Sequence, residues 1–250
     1  MRTFLAAVQF LTPLPLPAAW QPTADDLRRS PPWFPVVGLA IGLLAALVSI
    51  DAHWLLPPFL AAGVVTLALA AASGFLHLDG WADTADGLLG GFSREEALAI
   101  MRDSRIGVMA AVALCAVLGL KTAALAALPS AWLWRAACLM PVAGRCGMLA
   151  AMSLIPYARS AGGVAAVFEL GKSPRRAVWA AIFAAAAGCL IAGRCGLAAA
   201  AAAMLGAAAF SFYIWRRLGG ATGDTLGAIC ELSELTAAMV FAAWIQGKGC

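Results

Sequence analysis

The chain has 250 residues, of which 63% are hydrophobic and only 12% are charged, and its mean hydropathy is +0.87. A water-soluble domain carries roughly a quarter charged residues, so this composition excludes an ordinary soluble protein. The net charge of +4 comes from basic residues in the loops between apolar runs and gives no sign of nucleic-acid binding.

Apolar runs that are long enough to cross about 30 Å of hydrocarbon recur along the whole sequence. The sequence predicts an all-α fold: a polytopic transmembrane helical bundle in the lipid bilayer, built as a single domain from residues 1–250. Residues 3–15 form a short amphipathic stretch before the first span. The predicted spans, about seven at the usual ~20 residues each, are Phe34–Ile50, Pro58–Leu76, Ile106–Leu128, Trp132–Ile155, Ala177–Ile191, Leu197–Trp215 and Leu226–Ile245.

The basic residues predict the orientation, because Lys and Arg concentrate in cytoplasmic loops. With the amino end inside, the loops on the opposite side hold only Arg194 and Lys248. The protein is therefore expected in the cell inner membrane, with its active site facing the cytoplasm. The loops on the cytoplasmic side hold Arg2, Arg28, Arg29, Arg94, Arg102, Arg105, Arg159, Lys172, Arg175, Arg176, Arg216 and Arg217.

The first of two acidic stretches follows the second predicted span. Asp79, Asp83 and Asp86 stand at i, i+4 and i+7, so a helix places all three on one face. Stacked carboxylates repel one another unless a cation lies among them. Oxygen ligands of this kind favour a hard divalent ion, Mg2+ or alternatively Mn2+.

Basic residues next to these acids predict an anion-binding site. Arg102 and Arg105 flank Asp103, which could complete the metal shell while the arginines bind a diphosphate. Arg145 lies mid-span between small residues, as expected for a helix that admits an anionic group. His77 is interpreted as a supporting residue in the substrate site, and Lys121 as a side chain that reaches the far membrane surface.

The second acidic stretch begins at Asp224 and continues with Glu231 and Glu234 on the same predicted helix face. Ionisable groups inside a span are costly and usually functional. We expect Asp224 near the metal, Glu231 lining the substrate pocket and Glu234 in a structural role. One alternative stays open: Glu231 or Glu234 could instead pair with Arg145 across the bundle.

These residues together resemble the signature of the adenosylcobinamide-GDP ribazoletransferase (cobalamin synthase) family. The resemblance covers nearly the whole chain in the right order, and its central motif is long and specific. The matching pieces are Phe10-Leu11-Thr12, Phe34-Pro35-Val36-Val37-Gly38, His77-Leu78-Asp79-Gly80, Asp83, Asp86-Gly87, Arg102-Asp103-Ser104-Arg105-Ile106-Gly107, Pro156-Tyr157-Ala158-Arg159, Thr222-Gly223-Asp224, Gly227 and Glu231.

The resemblance implies a membrane transferase that joins adenosylcobinamide-GDP to alpha-ribazole, or to its 5'-phosphate, and releases GMP. A ribose hydroxyl would attack the cobinamide-side phosphorus of a Mg2+-bridged diphosphate. Asp86 and Asp103 are the preferred candidates for the base that takes the hydroxyl proton. The oligomeric state is left open, a homo-oligomer included.

Two other functions compete with this interpretation. A CDP-alcohol phosphotransferase of phospholipid synthesis carries related acidic motifs, but the long spacer of its pattern is missing here. A cation-coupled transporter would use intramembrane acids as an ion path. Transport predicts acids near mid-bilayer in inverted halves, whereas these acids gather at one face and no inverted repeat is visible.

Overall fold

The structure is a computed structural model that describes residues 1–17, 20–158 and 173–247. Its regular elements are helices, and an isolated bridge joins Tyr157 to Ala221. Arg159, Lys172 and Lys248, which contribute to the predicted orientation, lie outside the described residues. The helices are α1 (Arg2–Leu11), α2 (Ala24–Arg28), α3 (Phe34–Leu55), α4 (Pro58–Ala72), α5 (Leu76–Gly90), α6 (Arg94–Ile100), α7 (Val108–Ala126), α8 (Ser130–Leu154), α9 (Pro174–Leu218) and α10 (Gly223–Gly247), with a 3-10 turn at Pro31–Trp33.

The described helices confirm a multi-pass membrane protein. Five helical segments are long and apolar enough to cross a bilayer, and the count is six if the bent pair of α4 and α5 forms one span. The predicted span Pro58–Leu76 is wrong in its carboxyl end, because the chain turns by 91° between these two helices. Gly74 (φ +58°) and Phe75 (φ +61°) are both left-handed there, which no α-helix accommodates.

The 45-residue helix α9 contains two of the predicted spans. Ala192 and Gly193 leave helical geometry, and Gly193 has φ +58° and ψ −133°. Gly188 and Gly196, on either side of this break, lie in backbone contact. The two arms therefore pack side by side, as the separate runs Ala177–Ile191 and Leu197–Trp215 predict, and glycines make this close approach possible.

Helix α8 lies at the centre of the bundle, since 83% of its most apolar stretch is buried. It packs against α3, α9 and α10. Gly38 and Gly42 of α3 lie against the backbone of Pro141 and Cys138, with no room for a side chain. Small residues thus set the distance between helices here, as expected where lipid gives no hydrophobic driving force.

One end of the bundle gathers the connections that carry the sequence motifs. We call it the acidic end: α5 ends there, and α7 and α10 begin there. Arg94, in α6, donates hydrogen bonds to the carbonyls of Leu218 and Ala158. The amide of Ala158 donates to the carbonyl of Ala221, and the amide of Ala221 donates to the carbonyl of Pro156, both at 2.8 Å. These contacts hold the segments after α8 and α9 together at the acidic end.

Candidate active site

Helix α5 presents Asp79 and Asp83 to a cavity of about 370 Å³ at the acidic end. The cavity lies in the angle between α4, α5 and the start of α7, and Ser104 and Arg105 complete its polar wall. Leu67, in α4, and other apolar side chains from α5 and α7 form the rest of the lining. The structure thus brings two of the predicted metal ligands and one predicted phosphate-binding arginine to one open site.

Asp86 lies on the same helix but makes a different contact. Its carboxylate accepts hydrogen bonds from the amides of Gly107 (2.6 Å) and Ala110 (2.8 Å), at the amino end of α7. This end of a helix carries unpaired N–H groups and partial positive charge, which favour a carboxylate there. Asp86 therefore anchors α5 to α7. Although the sequence predicts it as a metal ligand and as the base, it does not line the cavity.

Asp103 and Arg105 are paired with each other on the surface. Arg105 Nη2 lies 2.5 Å from Asp103 Oδ2, and Arg105 Nε lies 3.0 Å from Oδ1. The hydrogen bonds from Arg105 lower the pKa of Asp103 from 3.8 to about 2. A carboxylate held in its charged form in this way is a weak base, so the geometry does not favour the predicted catalytic role of Asp103. Arg102 is exposed next to this pair.

The second acidic stretch meets the first where α10 begins. Thr222 and Thr225 exchange hydrogen bonds between side chain and backbone, which caps this helix. A Cβ on Gly80 would lie only 2.6 Å from the carbonyl oxygen of Asp224, so α5 and α10 touch along their backbones. The backbone of Asp224 is therefore next to the residue that follows Asp79, although Asp224 does not line the cavity, and its predicted place near the metal stays a prediction.

A buried ionic network occupies the interior below this contact. Lys121 Nζ, in α7, lies 2.6 Å from Glu231 Oε2 and 2.8 Å from Glu234 Oε2. Arg145 of α8 pairs with the other oxygen of Glu234, and its Nη2 lies 3.4 Å from His77 Nδ1. We use the term buried ionic network for these five residues, each of which is at most 3% exposed.

The contacts within the buried ionic network test several of the sequence predictions. The alternative pairing of a glutamate with Arg145 is confirmed, for Glu234. The prediction that Lys121 reaches the membrane surface is wrong, because two carboxylates hold its ammonium inside the bundle. Arg145, Glu231 and His77, predicted to bind substrate, are bonded within this interior cluster and do not line the cavity.

The carboxylates on the cavity wall suit a hard metal ion. Mg2+ is usually bound through one or two carboxylates together with substrate phosphates. Asp79 and Asp83 supply such a pair of oxygen donors. Within residues 1–17, 20–158 and 173–247, no group of three His, Cys, Asp or Glu side chains forms a metal site by itself. The donor set therefore fits an ion that is shared with a phosphorylated substrate.

The family model described as cobalamin-5-phosphate synthase matches residues 3–242 of this chain. The chain belongs to this family. This membership confirms the resemblance carried by the acidic and arginine motifs, and it identifies the chain as a transferase of cobalamin biosynthesis.

Curated relatives agree over nearly the full length. An adenosylcobinamide-GDP ribazoletransferase of Pseudomonas putida (strain GB-1) is 42% identical over 94% of this chain and 96% of its own. The enzyme of the same name from Roseiflexus sp. (strain RS-1) is 40% identical over 92% of this chain and 85% of its own. The one from Brevibacillus brevis is 36% identical over 96% and 97%. No solved structure matches the chain.

Proposed function

We propose that this transferase joins adenosylcobinamide-GDP to alpha-ribazole, or to alpha-ribazole 5'-phosphate, and releases GMP. The products are adenosylcobalamin or its 5'-phosphate. The reaction takes place at the acidic end of the bundle, which faces the cytoplasm of a cell inner membrane. The family membership and the names of the curated relatives support this choice of substrates.

The observation that carries the proposal is the composition of the cavity wall. Asp79 and Asp83 lie on one side and Arg105 on another, while apolar side chains from α4, α5 and α7 form the remainder. A diphosphate needs cationic partners, and the bulky organic groups that it joins need an apolar surface. One cavity at a bilayer-spanning bundle offers both.

Asp79 and Asp83 would hold Mg2+ against the diphosphate, as the usual coordination of this ion requires. When bound, the ion supplies charge neutralisation at the phosphate oxygens and at the leaving group. Arg105 contributes positive charge on the same wall and orients the phosphates.

The reaction forms one bond and breaks one. The ribose hydroxyl oxygen bonds to the cobinamide-side phosphorus, and the anhydride bond to the GMP phosphate breaks. The hydroxyl proton passes to a carboxylate oxygen on the cavity wall that is not needed to hold Mg2+, which we assign to Asp79 because it is more exposed than Asp83. The leaving GMP takes the electron pair of the broken bond.

The test is a turnover assay with the purified chain in lipid nanodiscs. Adenosylcobinamide-GDP, alpha-ribazole and Mg2+ are supplied, and GMP and the cobalamin product are quantified. We expect GMP and product in equal amounts, and no reaction with a chelator present. A parallel reaction with CDP-diacylglycerol and an alcohol should give no CMP. Absence of GMP release, or release of CMP, would contradict the proposal.

A further inference from the structure

The buried ionic network is balanced in charge. Lys121 and Arg145 contribute two cations, and Glu231 and Glu234 contribute two carboxylates. Lys121 bridges both carboxylates, while Arg145 pairs with Glu234 and not with Glu231. Loss of one of these four charged side chains therefore leaves a net charge in the interior, whereas loss of Lys121 together with Glu231 leaves the direct pair of Arg145 and Glu234.

Stability alone does not account for such a network. Well-packed apolar side chains in place of a buried ion pair are often as stable or more stable, because charges must be removed from water. The best-attested use of buried polar groups is to fix the register of one helix against another. Lys121 is suited to this use, since its single ammonium holds two residues of α10 from α7.

The network is one part of a closed set of contacts among three helices. Lys121 joins α7 to α10, and Asp86 joins α5 to the start of α7. Gly80 and Gly227 join α5 to α10 through backbone contact. Along α5 these contacts lie on both sides of the segment that bears Asp79 and Asp83. A shift of α10 along α7 would move Asp224 relative to both of them.

We propose that Lys121 is a positioning residue of the reaction. By holding Glu231 and Glu234 it fixes α10 against α7, and so it fixes the start of α10 against the aspartates of the cavity wall. The consequence for turnover rests on the proposed function, whereas the effect on α10 itself does not.

The test compares Lys121→Met, Glu231→Gln and the double variant Lys121→Met/Glu231→Gln in nanodiscs. Leu120→Met, at a lipid-facing position next to Lys121, is the matched control. Hydrogen–deuterium exchange of residues 224–228 reports the start of α10, and GMP release reports turnover. For each single variant we expect exchange at least tenfold faster and release at least tenfold slower than in the control. The double variant is balanced in charge but lacks the bridge from α7 to α10, so it should stay as impaired in both quantities as Lys121→Met.

Several outcomes would overturn the inference. The double variant could return to within threefold of the control in exchange and release, which would show that charge balance, and not the bridge of Lys121, fixes α10. Lys121→Met could lower only the melting temperature, with exchange and release as in Leu120→Met, which would make the role merely structural. Slow release with normal exchange in Lys121→Met would show that Lys121 affects turnover without fixing the start of α10, and would also overturn the inference.

Two controls keep the result decisive. If Lys121→Met fails to insert, the double variant is compared with Glu231→Gln alone, and the double variant, which also loses the contact of Lys121 with Glu234, should exchange at least as fast. If the wild type releases no GMP but the exchange pattern holds, the proposed function fails while the positioning of α10 stands.

Discussion

Single side chains divide the acidic residues at this end into two groups. Asp79 and Asp83 line the cavity, whereas Asp86 is bound at the amino end of α7 and Asp103 pairs with Arg105. Sequence spacing places Asp79, Asp83 and Asp86 on one helix face but does not show which of these carboxylates lines the cavity. The partner of Asp86 is the amino end of α7, a tertiary contact that depends on the whole bundle.

Replacement of Asp83 by asparagine should abolish turnover. The amide keeps the size of the side chain but removes the charge that is proposed to hold Mg2+. We expect at least a hundredfold loss in kcat, measured as GMP release, with normal membrane insertion and purification. Asp25→Asn, at an exposed surface pair with Arg29, is the matched control and should keep wild-type activity. Near-normal rates for Asp83→Asn would remove Asp83 from the site.

The ion pair of Asp103 and Arg105 should stabilise the folded protein by an amount that depends on pH only under acid conditions. The pKa of Asp103 is lowered from 3.8 to about 2 in the folded protein, so the folded state favours the charged carboxylate. This contribution is fully present above the unfolded pKa and is lost as pH falls through the folded one. The difference in melting temperature between wild type and Asp103→Asn should stay constant from pH 8 to about pH 5 and shrink below it. A difference that grows on acidification would contradict the pairing.

Helices at the acidic end depend on glycines where they approach closely. Gly107 precedes α7 and faces the Asp86 carboxylate, and a Cβ there would lie 2.5 Å from Oδ1. Its φ of −92° suits any residue, so close approach and not backbone conformation requires glycine. The position therefore tests the anchor between α5 and α7 without removal of a charge.

Gly107→Ala should destabilise the protein by about 1–3 kcal/mol, the usual cost of forcing an added methyl into a packed site. Gly119→Ala, in the same helix with no heavy atom within 4 Å of the added Cβ, is the matched control. It should be neutral or stabilising, because alanine favours a helix interior over glycine. Thermal unfolding in nanodiscs measures both. Equal effects of the two substitutions would show that α7 does not need the close contact with Asp86.

The elements show which features of the fold follow from sequence. The length of the apolar runs predicts the spans α3, α7, α8 and α10 and both arms of α9, because a helix that crosses a bilayer needs about 20 apolar residues in sequence. The sequence does not predict the bend after α4, because the apolar run continues through Gly74 and Phe75. The bend arises from the positive φ angles of these two residues. The buried position of Lys121 is not predicted for a similar reason, because nothing in the sequence around a single lysine identifies its partner. The two acids in the span that contains Glu231 and Glu234 are the one sequence feature that indicates a buried cation.

The molecule as a whole is a bundle with one acidic end, and the positive-inside rule predicts that this end faces the cytoplasm. Arg94 and Arg217 lie at this end and bind backbone carbonyls that connect α6 with the end of α9. These two arginines and the cavity therefore share one side, which the positive-inside rule predicts to be the cytoplasmic one.

Cysteine accessibility tests this orientation directly. The seven native cysteines are first replaced, and single cysteines are placed near Ser93, Ser173 and Gly219 on the acidic end and near Ala52 and Ser130 on the other. Membrane-impermeant maleimide applied to intact cells should label only the second group, and inverted vesicles only the first. Both arms of α9 are needed for Ser173 and Gly219 to lie on the same side, since the chain folds back at Ala192 and Gly193. Labelling of Ser130 from the cytoplasm would contradict the arrangement of spans and, with it, the shared side of the cavity and the start of α10.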